Sequence, residues 1–237
     1  MATSAHYRVK LRRRREGKTD YQARKALVSS GKPRLITRAS LRNVTVQIAV
    51  AKPHGDEVLV AANSRELGKT YGWKAPSGNI SSAYLTGYLC GLKAKAAGIK
   101  EAILDIGLIA PTKGAKVFAA LSGVVDAGVN VPHSEEKIVK ERMKGEHIAK
   151  YAKNLGVGSE EYNAKFSKYI AAGIAPERLP EHFTKVKAEI TTAFKGGKPA
   201  AETATEEAPK KKAAKAPKEK AAKAPKGKVS KKGGKKE

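Results

Sequence analysis

From residue 34 onward apolar and polar positions alternate with a period of two, and the parity of that alternation changes once. Leu35, Ala39 and Leu41 occupy odd positions, whereas Val44, Val46, Ile48 and Val50 occupy even ones. Successive strand residues face opposite sides of a sheet, so one straight strand cannot change parity and keep its apolar set on one face. Two strands joined by a turn or bulge are therefore predicted. RLITRA (34–39) follows Pro33, "SLRN" supplies Ser40 and Asn43 as turn formers, and the second strand covers 43–51 with Thr45 and Gln47 outward. KPHGDE (52–57) reads as a hairpin loop and VLVAA (58–62) as a third strand, giving an antiparallel meander.

The period then lengthens. Residues 63–79 are loop-rich, with room for a short helical turn. In ISSAYLTGYLCGLKAKAAG (80–98), Tyr84, Leu85, Tyr88, Leu89 and Leu92 fall on one helical face and Gly98 can cap the end. Gly87 and Gly91 permit close backbone approach, and Cys90 reads as a small buried apolar residue. EAILDIGL (101–108) reads as a buried strand. KVFAALSGVVDAG (116–128) reads as a helix with Val117, Phe118, Leu121, Val124 and Val125 toward the core.

After Pro132 the pattern stays helical. Ser134 can cap a helix with Glu135 and Glu136 in its first turn, predicted to run to Gly156. A shorter helix from about 160 carries Tyr162, Phe166, Tyr169 and Ile170. A last one from Pro180 to about Phe194 carries Phe183, Val186, Ile190 and Phe194. The predicted fold is α/β: a two-layer mixed sheet packed with helices, plus a helical C-terminal subdomain and basic extensions. The expected boundaries are a basic arm at 1–32, a mixed body at 33–131, a helical subdomain at 132–197 and a disordered tail at 198–237.

Charge changes the picture most. The 237 residues carry a formal net charge of +26, which calls for a polyanionic partner. It is uneven: net +11 over residues 1–42, +9 over 198–237 and +6 between them. No apolar run approaches the roughly 20 residues a bilayer needs, and the N-terminus lacks the apolar segment of a secretion signal. Cys90 is the only cysteine, so no intrachain disulfide or cysteine zinc cluster is expected, and a reducing, cytoplasmic setting fits. The tail repeats KAAKAPKE as KAAKAPKG (212–227) and lacks large apolar residues, hence the expectation of disorder. Its composition resembles linker-histone tails and raises an alternative, a nonspecific nucleic-acid packaging protein. The α/β body speaks against that.

The stretch LRRRREGKTDYQARK (11–25) raises two readings at once. Gly17-Lys18-Thr19, like Gly68-Lys69-Thr70, resembles the end of a phosphate-binding loop. That loop needs a further glycine five residues earlier, between a strand and a helix. Arg12 and Asn63 stand there instead, so nucleotide hydrolysis is not expected. His6, His54, His133, His147 and His182 form no helical zinc pair, and no Gly-x-Ser-x-Gly elbow occurs. Asp105 is the best candidate for a functional carboxylate, yet no base or metal partner is evident, and a structural or RNA-edge role is expected. No catalytic residue, metal or cofactor is expected. Four consecutive arginines cannot share one helix face and must point several ways, as in an arm threaded between nucleic-acid strands. Arginine forks onto phosphates and tyrosine stacks on exposed bases.

YRVKLRRRREGKTDYQARKALVSSGKPRLITRAS, YGWKAPSGNISSAYLTGYLCGLKAKAAGIKEAILDIGL and APTKGAKVFAALSGVVDAGVNVPHSEEK occur in this order. Together they resemble the large-subunit ribosomal protein family called L eighteen, in its archaeal form, whose eukaryotic relative is called L five. The resemblance spans roughly residues 6–195. It implies a structural constituent of the large ribosomal subunit, in the cytoplasm, that binds 5S rRNA and attaches it to large-subunit rRNA in the central protuberance. It implies neighbouring ribosomal proteins as partners, and no membrane or small-molecule substrate. The tail from 198 is longer than the resemblance accounts for.

On this basis Arg12, Arg13, Arg14, Arg15, Lys18 and Arg24 are expected to meet RNA phosphates, with Tyr7, Arg8 and Tyr21 at the same surface. Gly17 would bend the arm, with Thr19 and Asp20 fixing the bend. Arg38, Arg42 and Asn43 would extend the footprint. Lys69, Tyr71, Trp73, Lys74 and Asn79 would form a second contact, and Lys113 and Lys116, before a helix, a third.

Overall fold

The parity change is a hairpin turn. In the computed structural model, which describes residues 6–195, β1 (Arg34–Ala39) ends one residue before Ser40 and β2 (Val44–Lys52) starts one after Asn43. The Ser40 amide donates to the Asn43 carbonyl at 2.8 Å, and the Asn43 amide donates to Ser40 Oγ at 3.0 Å. The next connection is shorter than expected. β3 (Gly55–Asn63) already pairs at Gly55 with Lys52, so only Pro53 and His54 make the loop. Gly55 has φ 143°, which admits glycine where the alternation shows no apolar signal.

Before the sheet, the arm carries a single helical turn, α1 (Arg12–Arg15), and then α2 (Tyr21–Ser29). After β3 the loop-rich segment, where room for a short helical turn was expected, opens with the seven-residue α3 (Ser64–Thr70). Asn63 accepts from the Arg65 amide while Glu66 accepts from the Asn63 amide, and this reciprocal cap starts the helix. The long helix α4 (Ile80–Ala96) starts at the Asn79 cap, and β4 (Ile103–Asp105) is only three residues long. β4 lies parallel to β1, giving the sheet order β3-β2-β1-β4. α5 (Lys116–Asp126) follows.

α4 and α5 end alike. Gly98 and Gly128 have positive φ, and the next amides, Ile99 and Val129, bond back to Ala94 and Val124. That pattern satisfies the last carbonyls of each helix. The two helices cross in close contact. A Cβ on Gly91 would lie 2.6 Å from Ala127 Cβ. One on Gly87 would overlap the Ala120 carbonyl, and one on Gly123 the Tyr84 carbonyl. Cys90 is fully buried beside this crossing, and burial pushes its thiol up to about 12.

The helix expected over 134–156 is broken. Glu135–Lys137 form a 3-10 turn without a Ser134 side-chain cap, then come α6 (Lys140–Lys144) and α7 (Glu146–Leu155). Gly145, at φ 85°, stands between them with Leu179 packed against it, so a left-handed residue stops α6 and redirects the chain. α8 (Glu160–Ala171) is capped by Ser159, and α9 (Leu179–Lys195) starts just before Pro180. The apolar interior runs without interruption from Leu35 and Ile48 of the sheet through Leu85, Leu89 and Leu121 to Leu179, Phe183 and Ile190. The C-terminal helices are thus packed on the body. Lys187 Nζ donates to Tyr84 Oη at 2.6 Å, and Tyr84 donates to Asp126, tying α9 to α4 and α5. The Lys/Ala/Pro tail expected to be disordered lies outside the described residues.

Candidate nucleic-acid interface

Asp20 caps α2, its Oδ1 accepting from the Gln22 and Ala23 amides at 2.9 and 3.4 Å. The helix carries Arg24 to the sheet, where Nη1 and Nη2 donate to Asp56 Oδ2 and Oδ1 at 2.9 and 2.7 Å. Arg34, only 1% exposed, stands next in line. Its Nη2 is 2.7 Å from Asp56 Oδ1, close for an ion pair, although the Nε and Nη2 protons line up on no acceptor. Its Nη1 donates to Asp105 Oδ2 at 3.1 Å. Arg38 closes the row, donating to Asp105 Oδ1 at 2.9 Å and to the Asp105 carbonyl at 2.8 Å. The Gly107 amide donates to Asp105 Oδ1 at 2.9 Å. Two carboxylates therefore join three guanidiniums across α2, β3, β1 and β4. The Arg24 hydrogen bond, helped by Arg34, holds the Asp56 carboxyl at about 2, below its ordinary value.

This row lines a cleft of about 1050 Å³ between α2 and the sheet, together with Arg13, Lys18, Ile36, Gln47 and Leu104. The α1 turn, whose Arg13 lines the cleft, holds Arg12, Arg13, Arg14 and Arg15 exposed. Arg13 Nε donates to Thr19 Oγ1 at 2.9 Å, and Gly17 turns the chain at φ 63°. Arg12 lies 3.5 Å from Glu16, Arg14 3.7 Å from Asp20, and Lys18 pairs with Glu16 at 2.9 Å. Arg15 makes no ion pair or side-chain hydrogen bond among the described residues. These are exposed pairs, worth little to stability, so the cations stay available to an outside anion. Tyr7 and Arg8 are exposed and Tyr21 is half-buried.

A second cationic group forms at the β1–β2 turn. Ser77 Oγ donates to the Arg42 carbonyl at 2.8 Å and lies 3.1 Å from Asn43 Oδ1, and Lys116 Nζ donates to the Ser40 carbonyl at 3.0 Å. Lys116, distant in sequence, is thus held at the turn that carries Arg42 and Asn43. Lys113 is exposed three residues before Lys116.

The 68–79 segment is not a single contact surface. Lys69 and Lys74 are exposed, but the rings of Tyr71 and Trp73 are buried in the core. Trp73 stacks on His182 with centroids 4.9 Å apart, and the Lys74 amide donates to His182 Nε2 at 3.2 Å. Asn79 is occupied as the α4 cap. Arg24 and Arg38 are likewise engaged by Asp56 and Asp105. Sequence reasoning misses Arg34 and Asp56. Their partners lie tens of residues away, and a basic residue on an alternating strand carries no local sign that it will be buried.

Together the arm, cleft and turn define a strongly basic protein of mixed α/β fold. Among the described residues no cluster of His, Cys, Asp and Glu could hold a metal ion, and no helix is long and apolar enough to cross a membrane. A family model described as ribosomal large subunit proteins 60S L5 and 50S L18 matches residues 5–98 and 93–134. The chain is 50% identical over 192 residues to the large ribosomal subunit protein uL18 of Caldivirga maquilingensis, covering 80% of this chain and 93% of that one. It is also 50% identical over 208 residues to the uL18 of Aeropyrum pernix, covering 87% and 96%. The chain belongs to this L5/L18 family of large-subunit ribosomal proteins. It is a structural constituent of the large ribosomal subunit in the cytoplasm, not an enzyme, and its partners are ribosomal RNA and neighbouring ribosomal proteins.

Proposed function

We propose that the protein binds 5S rRNA and attaches it to large-subunit rRNA in the central protuberance. The observation that carries this is the α1 turn, where four consecutive arginines are all exposed and Arg13 lines a cleft shared with Lys18. Phosphate contacts from such a turn position the protein on folded RNA, and nearby tyrosines add contacts to bases. Family membership supports the reading. The separate cationic group at Arg42, Asn43 and Lys116 supplies a second place to hold RNA, which a protein joining two RNAs requires.

Removing residues 1–32 would also remove α2 and the Arg24–Asp56 pair, so the cleaner test replaces Arg12–Arg15 with alanine. Affinity for 5S rRNA is measured over a salt series, with transfer RNA and duplex DNA as competitors. The expected result is weaker binding and a shallower salt dependence, by about 0.7 to 0.9 in log–log slope for each phosphate no longer neutralised. Unchanged affinity and slope would remove the arm from the interface. Equal competition by duplex DNA would favour nonspecific packaging.

A further inference from the structure

Leu41, at the tip of the β1–β2 turn, is 95% exposed, more than any other large apolar side chain among the described residues. Turn centres favour Gly, Asn, Asp or Ser, whose conformations or side chains suit a tight bend. This turn has Leu41-Arg42 instead. The backbone beneath is held on every side. Ser40 and Asn43 close the turn, Ser77 bonds the Arg42 carbonyl, and Lys116 bonds the Ser40 carbonyl. Gly78 packs so close under the Leu41 carbonyl that no Cβ would fit there. The backbone of the tip is therefore held in place and presents one apolar and one cationic side chain, with little backbone ordering left to do on binding.

The surroundings indicate what it meets. The residues that hold the tip, 40–43, 77, 78 and 116, lie within the runs 21–55, 67–100 and 106–125, which contain no Asp or Glu. Lys116 and Arg42 border Leu41 without a carboxylate from these segments. A cationic border around an apolar point suits an RNA segment with a splayed nucleotide: phosphates meet the cations, and the base face or ribose covers the leucine.

We infer that Leu41 is an RNA-contact residue that packs on an unstacked nucleotide of ribosomal RNA, with Arg42 and Lys116 on the flanking phosphates. The inference rests on the reading that the protein binds rRNA, but not on which rRNA lies at the turn. Cys90 is buried, so the full-length Leu41→Cys protein has a single accessible thiol for an iron–EDTA tether. Hydroxyl-radical cleavage is mapped separately on 5S and large-subunit rRNA transcripts, beside affinities of Leu41→Ala over a salt series.

The expected result is cleavage confined to a short segment of one transcript. Leu41→Ala should weaken binding to that RNA by about three- to tenfold at every salt concentration, with unchanged slope, because the substitution removes apolar surface and no charge. Its melting temperature should equal the parent's, since the side chain packs on nothing. Cleavage of the large-subunit transcript in a protein that shows no preference for 5S over transfer RNA would overturn the 5S reading and sustain this one. No cleavage of either RNA, with parental affinity in Leu41→Ala, would overturn it. So would a tether at 41 that, in reconstituted subunits, marks only a neighbouring protein.

Discussion

Arg34 and Asp105 meet inside the sheet, the Arg34 Nη1 to Asp105 Oδ2 distance being 3.1 Å, with 71 residues of chain between them. The parallel register of β1 and β4 sets them near each other, Arg34 opposite Ile103 and Ile36 opposite Asp105. Asp105 also holds Arg38 and the Gly107 amide, so it is the anchor of β4. Asp105→Ala would leave a buried guanidinium without one of its two carboxylates, and breaking a buried pair in this way costs about 3–5 kcal/mol. Urea unfolding of the purified protein should show a loss of that size. A loss under about 1 kcal/mol, the range of an exposed pair, would mean that Asp56 alone suffices for Arg34.

Arg24 plays a smaller part. No residue of α2 is buried, and the helix is fastened to the sheet by the Arg24–Asp56 pair. Arg24→Ala should therefore leave global stability within about 1 kcal/mol of the parent, as for a pair that water still reaches. Amide exchange across Tyr21–Ser29 should speed up markedly while α4 stays protected. Uniform acceleration in both helices would show that the pair stabilises the whole fold instead.

Gly87 tests the helix crossing. Its missing Cβ is what lets α4 lie against the Ala120 carbonyl of α5. Gly87→Ala gains helix propensity, but the backbones must separate, and overpacking of this kind costs about 1–3 kcal/mol or more. The thermal midpoint should fall. A rise would mean that the crossing relaxes at no cost to stability.

His182 makes one part of the fold sensitive to acid. Burial lowers its basicity, with Lys74 and Lys185 acting in the same direction and Glu189 opposing them. The neutral ring accepts the Lys74 amide and stacks on Trp73. The unfolded chain takes up the proton near the ordinary histidine value of about 6.5, while the folded chain resists it. This contribution is therefore present above that value and lost as pH falls through the lower folded value. Melting temperatures measured from about pH 7.5 to 5, a window that spans the ordinary histidine range, should decline, and His182→Gln should flatten the decline. His147, also lowered mainly by burial, adds to the slope that remains. An equal decline in the variant would exclude His182 as the source. The Asp56 contribution lies further down: it is present above the ordinary carboxylate range and lost as pH falls toward about 2.

Much of the fold is legible along the chain because its signals are local. The parity change between Ala39 and Val44, the apolar faces of α4, α5 and α9, and Gly98 at a helix end each depend on residues a few positions apart. The errors have local causes too. Gly145, within an otherwise helical pattern, splits α6 from α7. The Asn63–Glu66 cap makes the short helical turn allowed in the 63–79 stretch a helix of seven residues, α3. The arm is legible as basic but not as helical, since α2 buries no apolar stripe that a period could reveal.

Residue order alone was enough to set the elements, the charge at the two ends, the close approach at Gly87 and the family. Assembly in three dimensions was needed to settle which cations pair with the Asp56 and Asp105 carboxylates and which do not. Arg34 is buried between Asp56 and Asp105, and Arg24 and Arg38 pair with the same carboxylates from part-exposed and exposed positions, whereas Arg12–Arg15 and Arg42 are exposed and make no contact with either. Assembly also committed Tyr71 and Trp73 to the core and set Leu41 on a rigid tip. The reason is physical: periodicity, caps and glycine spacing act within a turn or two of chain, whereas ion pairing and burial depend on residues that meet only after the sheet and helices have come together.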